Sequence, residues 1–257
     1  MNQDILSRTL TVLADGKPVT GFYRARLSGR DALGLLPQMF MLRLWNLGES
    51  DYLLLSRAKR VTVKHEDSAL ASGRITDVTR QMAADGMVTQ VVFSPAIALW
   101  EAPVSLSVEA GVSVSETVRR ILAASGTGIQ LLTWTGADPV RSRGQAFFGR
   151  AAECVSAALS AASAGGYLTE NGLGIVPASG LPVTLTLTEK DLIDEPSFAA
   201  GNLMILRTTV TGWPLGKRIA VEWKEKRAEG IVLERSVDAD NQEGGWESEL
   251  LVEMNNE

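Results

Sequence analysis

Short runs of alternating apolar and polar residues, each followed by a turn signal, constrain this sequence more than any other feature. Within residues 1–105 such runs cover 22–28, 60–64 and 73–80. A period of two places one face of a strand against a core, and the pairs Asp15-Gly16 and Asp85-Gly86 are typical of hairpin turns. Many short strands at regular spacing predict a small barrel or sandwich.

Helical signals replace strand signals near residue 112. Ser113 and Glu116 fit a capping box at a helix start, and Gly126 is placed to end that helix in the left-handed region. A second, alanine-rich helix is predicted for 150–164, where two consecutive glycines stop it. The following segment predicts a hairpin with a two-residue Asn171-Gly172 turn.

The strand pattern returns at residue 181 and ends in a predicted hairpin formed by 230–237 and 246–252. The chain therefore divides into an N-terminal β-barrel at 1–105, an α+β insert at 106–178 and a C-terminal β-barrel at 179–257. The predicted fold class is mainly β with an α+β insert: two small β-barrel modules flanking a two-helix α+β module. We expect the two β modules to share a fold despite little sequence identity.

Composition narrows the functional classes. The 25 Lys and Arg against 30 Asp and Glu give a net charge of -5, which disfavours electrostatic binding of nucleic acid or anionic membranes. A single cysteine allows no intrachain disulfide. The N-terminus lacks the features of a signal peptide, and no apolar run approaches the ~20 residues that span a bilayer. We expect a soluble protein made in the cytoplasm.

The sequence offers little catalytic chemistry, and we predict no catalytic, cofactor-binding or metal site. His65 is the only histidine, which leaves few metal or triad arrangements; we interpret it as a surface residue at a strand end. Cys154 lies in the alanine-rich helix and is interpreted as a small buried apolar residue. Nucleotide-binding, zinc-protease and serine-hydrolase motifs are missing.

Two acidic groups have structural interpretations. The loop 238–245 carries several carboxylates, but its spacing departs from that of a calcium loop, so a solvated hairpin tip is the preferred reading. Four further carboxylates precede Pro196 and are interpreted as a charged turn: Glu189, Asp191, Asp194 and Glu195.

Several strings together resemble the baseplate hub proteins of phage tails. The strand 40–47 with its Trp-Asn-Leu corner and the Ser-Gly strand at 72–78 resemble the first hub domain. The helix at 112–122 is similar to the one that opens the hub's insert. The turn at 213–221 and the ending at 241–250, where a Gly-Trp pair begins the last strand, are similar to the C-terminal part. The resemblance covers nearly the whole chain and is carried by the order of motifs that are individually weak.

The resemblance implies a non-enzymatic, structural virion protein of the Mu-like and T-even hub type, related to type VI secretion spike proteins. Such hubs are homotrimers whose six barrels adapt a sixfold tail tube to a threefold central spike or tip. The implied partners are the tail tube or distal tail protein, the spike and the tape measure protein. DNA is only passing cargo, and no membrane insertion or cofactor is implied. The implied location is the tail baseplate of a virion or contractile injection system.

Two other functions remain open: a distal tail or tail-tube-like protein, which normally needs only one barrel, and a tail-associated cell-wall hydrolase. For the hub, the net charge predicts a neutral to acidic channel. Four apolar residues before the strand at 40–45 are candidates for a subunit interface, with packing on their own barrel as the alternative: Leu33, Leu35, Leu36 and Met39.

Overall fold

Regular alternation in the first hundred residues produces strands, as predicted. The computed structural model describes residues 8–36, 38–169, 172–177, 182–209, 215–243 and 245–254. The elements of the first part are β1 Leu10–Ala14, β2 Lys17–Val19, β3 Arg24–Ala32, β4 Phe40–Trp45, α1 Glu49–Arg57, β5 Arg60–His65, β6 Ser68–Ala83, β7 Gly86–Ser94 and α2 Ile97–Glu101. Both residues of the β1–β2 turn, Asp15 and Gly16, have positive φ, as a tight hairpin turn requires. Helix α1 begins at Glu49, two residues after the Trp-Asn-Leu corner.

Within its described residues, the insert contains two main helices and five short strands that form three pairings. Its elements are β8 Pro103–Val108, α3 Val114–Ser125, β9 Leu131–Trp134, β10 Gln145–Arg150, α4 Ala151–Ser160, β11 Ala164–Leu168 and β12 Leu173–Pro177. The C-cap of α3 and one half of its predicted capping box are confirmed: Gly126 has φ 64, and the Ser113 side chain accepts from the Glu116 amide. The Glu116 carboxylate contacts Arg119 and Arg120.

Two predictions in the insert were wrong in detail. The helix predicted for 150–164 ends at Ser160, and the glycines expected to stop it lie inside β11, paired with β12. The hairpin itself is confirmed, but the Thr169 amide donates to the Gly172 carbonyl at 2.8 Å. Gly172 is therefore paired with Thr169 directly before β12 instead of lying in the turn, and Asn171 lies outside the described residues.

The last part of the chain is again β-structure. Its strands are β13 Val183–Thr188, β14 Ser197–Ala199, β15 Leu203–Thr208, β16 Arg218–Trp223, β17 Lys226–Asp240 and β18 Trp246–Met254. The closing hairpin of β17 and β18 is confirmed. No helix in the described ranges is long and apolar enough to cross a membrane.

One 13-stranded sheet runs through both β modules of the described chain, with the order β14-β15-β18-β17-β3-β4-β7-β6-β5-β1-β2. In addition, β16 pairs with β17, and β13 pairs with β16. The mainly β fold with an α+β insert is confirmed. The two separate barrels of the prediction are not observed, because among the described strands no pairing joins the first and last strands of either module. Instead the second half of β17 pairs with β3 and joins the modules edge to edge.

Five consecutive strands repeat with the same pairing in the two modules. The first set pairs in the order β3-β4-β7-β6-β5, and the second in the order β14-β15-β18-β17-β16. The long strands β6 and β17 have 16 and 15 residues, and each carries a register shift, at Thr76 and Leu233 respectively. The strands outside the repeat differ, since β1 is antiparallel to β5 whereas β13 is parallel to β16. The expected likeness of the modules is therefore present in these five strands.

Matching glycines mark the same bend in both long strands. A Cβ at Gly73 would lie 2.4 Å from the Ser94 carbonyl carbon, and a Cβ at Gly230 would lie 2.5 Å from the Glu253 carbonyl oxygen. Both obstacles are backbone of the neighbouring strand, which cannot rotate away. The two modules therefore impose the same steric requirement at equivalent positions.

We expect Gly73→Ala and Gly230→Ala each to lower the free energy of unfolding by about 2 kcal/mol, because the methyl group forces the strands apart. Gly48→Ala is the control, since a Cβ there meets nothing within 4 Å. Urea unfolding of the purified chain measures the difference. A cost for Gly73→Ala no larger than that for Gly48→Ala would contradict the close strand approach.

Three apolar clusters form the core. One fills the first module and includes Val237, Ala239 and Trp246 from the last part of the chain. A second lies around α3 and α4 in the insert, and a third fills the last module. Because residues of β17 and β18 pack in the first cluster, these two strands are held against the N-terminal module by apolar packing as well as by the β3–β17 pairing.

Candidate functional site

The two modules meet where β3 pairs with the second half of β17, and we call this pairing the seam. The seam carries several charged contacts that join the two modules. Alternation on β3 turns Ala25 and Leu27 into the core, which leaves arginines at 24, 26 and 30 on the opposite face. The paired residues of β17 on that face are Glu234, Ser236, Asp238 and Asp240. We call this side of the sheet the open face.

Three arginine–carboxylate pairs cross the seam on the open face. Arg24 contacts Asp240 at 2.6 Å, and Arg26 contacts Asp238 at 2.6 Å. Arg30 lies 3.5 Å from Glu234 at the more exposed end. Each arginine is therefore placed against a carboxylate from a strand more than 200 residues away in sequence.

Asp240 is the most enclosed member of this set, with a fully buried side chain. Burial alone would raise the pKa of Asp240, but hydrogen bonds from Arg24 and from the amides of Gln242 and Glu243 outweigh it. The pKa of Asp240 is therefore held below its usual value. Arg24 also lies over the ring of Trp45, 4.7 Å from its centre.

A fourth pair crosses the seam on the core side. Arg235 contacts Asp31 at 2.8 Å, and their side chains are only 5% and 16% exposed. Arg235 also donates to the Leu70 carbonyl at 2.6 Å, so it links β17 and β3 to β6. The seam is therefore fixed by ion pairs on both of its faces.

The open face continues on both sides of the seam. Following the registers of β6, β7, β4, β18 and β15, its charged residues include six arginines and seven acids: Arg24, Arg26, Arg30, Arg43, Arg74 and Arg207, with Asp77, Glu234, Asp238, Asp240, Glu247, Glu249 and Glu253. Five of these arginines contact a carboxylate. The face is thus close to neutral in charge, and its cations are largely paired within the chain.

The two residues considered for chemistry have structural surroundings. His65 ends β5 half-buried, with its ring 4.9 Å from that of Trp246, so it lies at a contact between modules and not at a plain surface. Cys154 is buried in α4 as predicted, and burial raises the pKa of its thiol. Within the described ranges, no group of three potential ligands could hold a metal ion.

The acidic loop was interpreted incorrectly, because β17 extends to Asp240. Two of its carboxylates therefore belong to the strand and bind Arg24 and Arg26, so they are not part of a solvated tip. The reading of the four carboxylates before Pro196 as a charged turn is confirmed. Their partners are the Lys224 amide for Glu189, Thr188 for Asp191, Arg207 for Asp194 and the Lys224 ammonium for Glu195.

The buried part of the apolar segment before β4 packs on other parts of the chain and not on its own barrel. Leu33 packs against the core of the last module, and Leu35 is buried in the insert cluster. The Leu35 carbonyl also accepts a hydrogen bond from the Trp100 indole at 2.5 Å. Leu36 and Met39 are exposed. The first two residues thus join the parts of one chain, and only the last two are free for an interface.

The fold is shared with solved tail proteins. No family model and no curated protein matches the chain. A tail protein from Neisseria meningitidis MC58 superposes with a TM-score of 0.73 at 11% identity, covering 96% of each chain. The 43 kDa tail protein of prophage MuSo2 from Shewanella oneidensis gives 0.71 at 10% identity, covering 95% of each chain.

A third similar structure comes from a secretion system. It is an E. coli component of the type VI secretion system, described as similar to the T4 bacteriophage tail proteins gp27 and gp5. Its TM-score is 0.68 at 12% identity, over 92% of this chain and 74% of the other. At these identities the comparisons establish the fold, which is that of tail and tail-like proteins.

Proposed function

We propose that this chain is a structural, non-enzymatic baseplate hub of a phage or phage-like tail. Three copies form a ring in which residues 1–105 and 179–257 of each copy supply six similar modules facing the tail tube. The insert, 106–178, lies outside this repeat. The ring joins the sixfold tube or distal tail protein to a threefold spike or tip at the baseplate of the virion.

The observation that carries this proposal is the continuous open face shared by two modules with the same five-stranded pairing. A ring of three such chains presents six equivalent sheet segments, which suits a sixfold partner. Its near-neutral face, with paired arginines, also suits a channel wall, because unpaired cations would bind the phosphates of passing DNA. The fold shared with tail proteins supports the same assignment.

The test is the number of copies in purified tail particles. We expect three chains of 27.6 kDa, about 83 kDa in all, in a ring between tube and spike, measured by quantitative mass spectrometry and by imaging of the particle. Six copies per particle would contradict the hub and favour the tube-like alternative, in which each chain occupies one position of the sixfold ring.

A further inference from the structure

Of the strand edges in the main sheet that have no partner in the part of the chain that the structure describes, two belong to the repeated strands. The second half of β6, residues 76–83, pairs with β7 alone, because β5 reaches only to Arg74. At the other side, β14 pairs with β15 alone. Exposed strand edges of this kind present unpaired backbone groups that favour the addition of another strand.

The internal repeat indicates which strand completes these edges. In the repeat, β6 corresponds to β17 and β14 corresponds to β3. The second half of β17 pairs with β3 inside the chain. We propose that the same contact occurs between copies, so that the second half of β6 in one copy pairs antiparallel with β14 of the next copy. This inference rests on the proposed ring and specifies how it closes.

The repeat also sets the register of the contact. The register shifts at Thr76 and Leu233 align β6 with β17, so Gln81 corresponds to Asp238. The pairings of β3 with β4 and of β14 with β15 align Ser28 with Ser197. Asp238 lies opposite Ser28 in the seam. Gln81 therefore lies opposite Ser197 of the neighbouring copy.

Two exposed apolar side chains lie at the positions that this contact would cover. Met82 is 72% exposed and Phe198 is 57% exposed. Met82 corresponds to Ala239, which the seam buries completely, and Phe198 corresponds to Gly29 on the core side of β3. Both apolar residues thus lie on the same side of the two edges. In the proposed contact these two large exposed side chains would come together and be covered, as at an interaction surface.

The geometry suits a closed ring. The β14 edge ends the strand order, whereas the β6 edge lies within that order, where β5 stops short. The two edges are not alike, so the contact is heterologous and each copy uses one edge of each kind. The arginine–carboxylate pairs of the seam are not repeated between copies, since β14 carries no charged residue. The contact between copies therefore depends on backbone pairing and on Met82 and Phe198, and is weaker than the seam.

Cysteine cross-linking tests the register. In the variant carrying Gln81→Cys and Ser197→Cys, oxidation should produce covalently closed trimers in purified particles, because directly opposite residues in a sheet lie within disulfide reach. The matched control carries Asp77→Cys and Ser197→Cys. Its β6 cysteine is on the same face but four residues away, about 13 Å along the strand, and should not cross-link.

The outcomes separate this inference from the hub itself. Three copies per particle without cross-linking of Gln81→Cys to Ser197→Cys, or with equal cross-linking in the control, would overturn the edge pairing and leave the hub standing. Six copies would overturn the hub, whatever the cross-links show. Covalent trimers in the test variant alone would support the inference.

A second experiment tests the same contact with a charge substitution instead of introduced cysteines. Phe198→Glu should reduce the yield of assembled ring at least about tenfold, because a charge would be buried at the contact. Phe148→Glu is the control, since Phe148 is 89% exposed on the insert strand β10. Circular dichroism should show both variants folded. Equal assembly of the two variants would contradict a role for Phe198 in the contact.

Discussion

Arg235→Ala is expected to lower the free energy of unfolding by about 3–5 kcal/mol, the usual cost of removing one partner from a buried ion pair. The Asp31 carboxylate would remain mostly buried without its guanidinium, and the Leu70 carbonyl would lose its donor. Urea unfolding of the purified chain at neutral pH measures the loss. We also expect the lower free energy of unfolding to be accompanied by weaker pairing of β3 with β17, which would be detected as faster exchange of the amide hydrogens of these two strands.

The control for this variant is Arg30→Ala, on the exposed side of the same seam. Arg30 and Glu234 are 60% and 36% exposed, so their pair should contribute less than about 1 kcal/mol. The double variant Arg235→Met with Asp31→Leu should recover much of the stability, because it removes both buried charges. A cost for Arg235→Ala similar to that for Arg30→Ala would show that the buried pair does not hold the seam.

Asp240→Asn is expected to cost about 3 kcal/mol at neutral pH, since it removes the charge that Arg24 binds inside the sheet. This loss should depend on pH. The pKa of Asp240 is lower in the folded chain than its ordinary value of 3.8, so its stabilising effect is present above that value. The effect is lost as the pH falls through the lower, folded-state pKa.

The measurement compares unfolding of the natural chain and the variant from pH 7 down to pH 2. The difference between them should be constant at neutral pH and should shrink below about pH 4. Asp238→Asn is the matched control, because Asp238 and its partner Arg26 are about one third exposed and their pair should contribute less than about 1 kcal/mol. A difference for Asp240→Asn that does not change with pH would exclude the proposed charge pairing as its cause.

Local signals in the sequence determined the elements whose partners are close in the chain. The Asp15-Gly16 turn, the β6–β7 hairpin and the caps of α3 all follow from residues within a few positions of one another, because turn and cap geometry depends on local backbone preferences. Alternation likewise identified most of the longer strands of both modules, since a half-buried strand needs it. The resemblance of ordered motifs added the expected tail-protein fold.

Only the tertiary structure decided how these elements are joined. Asp240 meets Arg24 across 216 positions, and no local pattern specifies the partner of an edge strand. Two separate barrels and one shared sheet therefore require the same alternation of apolar and polar residues along each strand, and the sequence pattern does not distinguish them. For the same reason the sequence predicts His65 as a surface residue, although its ring contacts Trp246. It also predicts that Gly165 and Gly166 end a helix, although both pair with β12 as part of a strand. Burial and pairing with distant strands outweigh local preference at such positions.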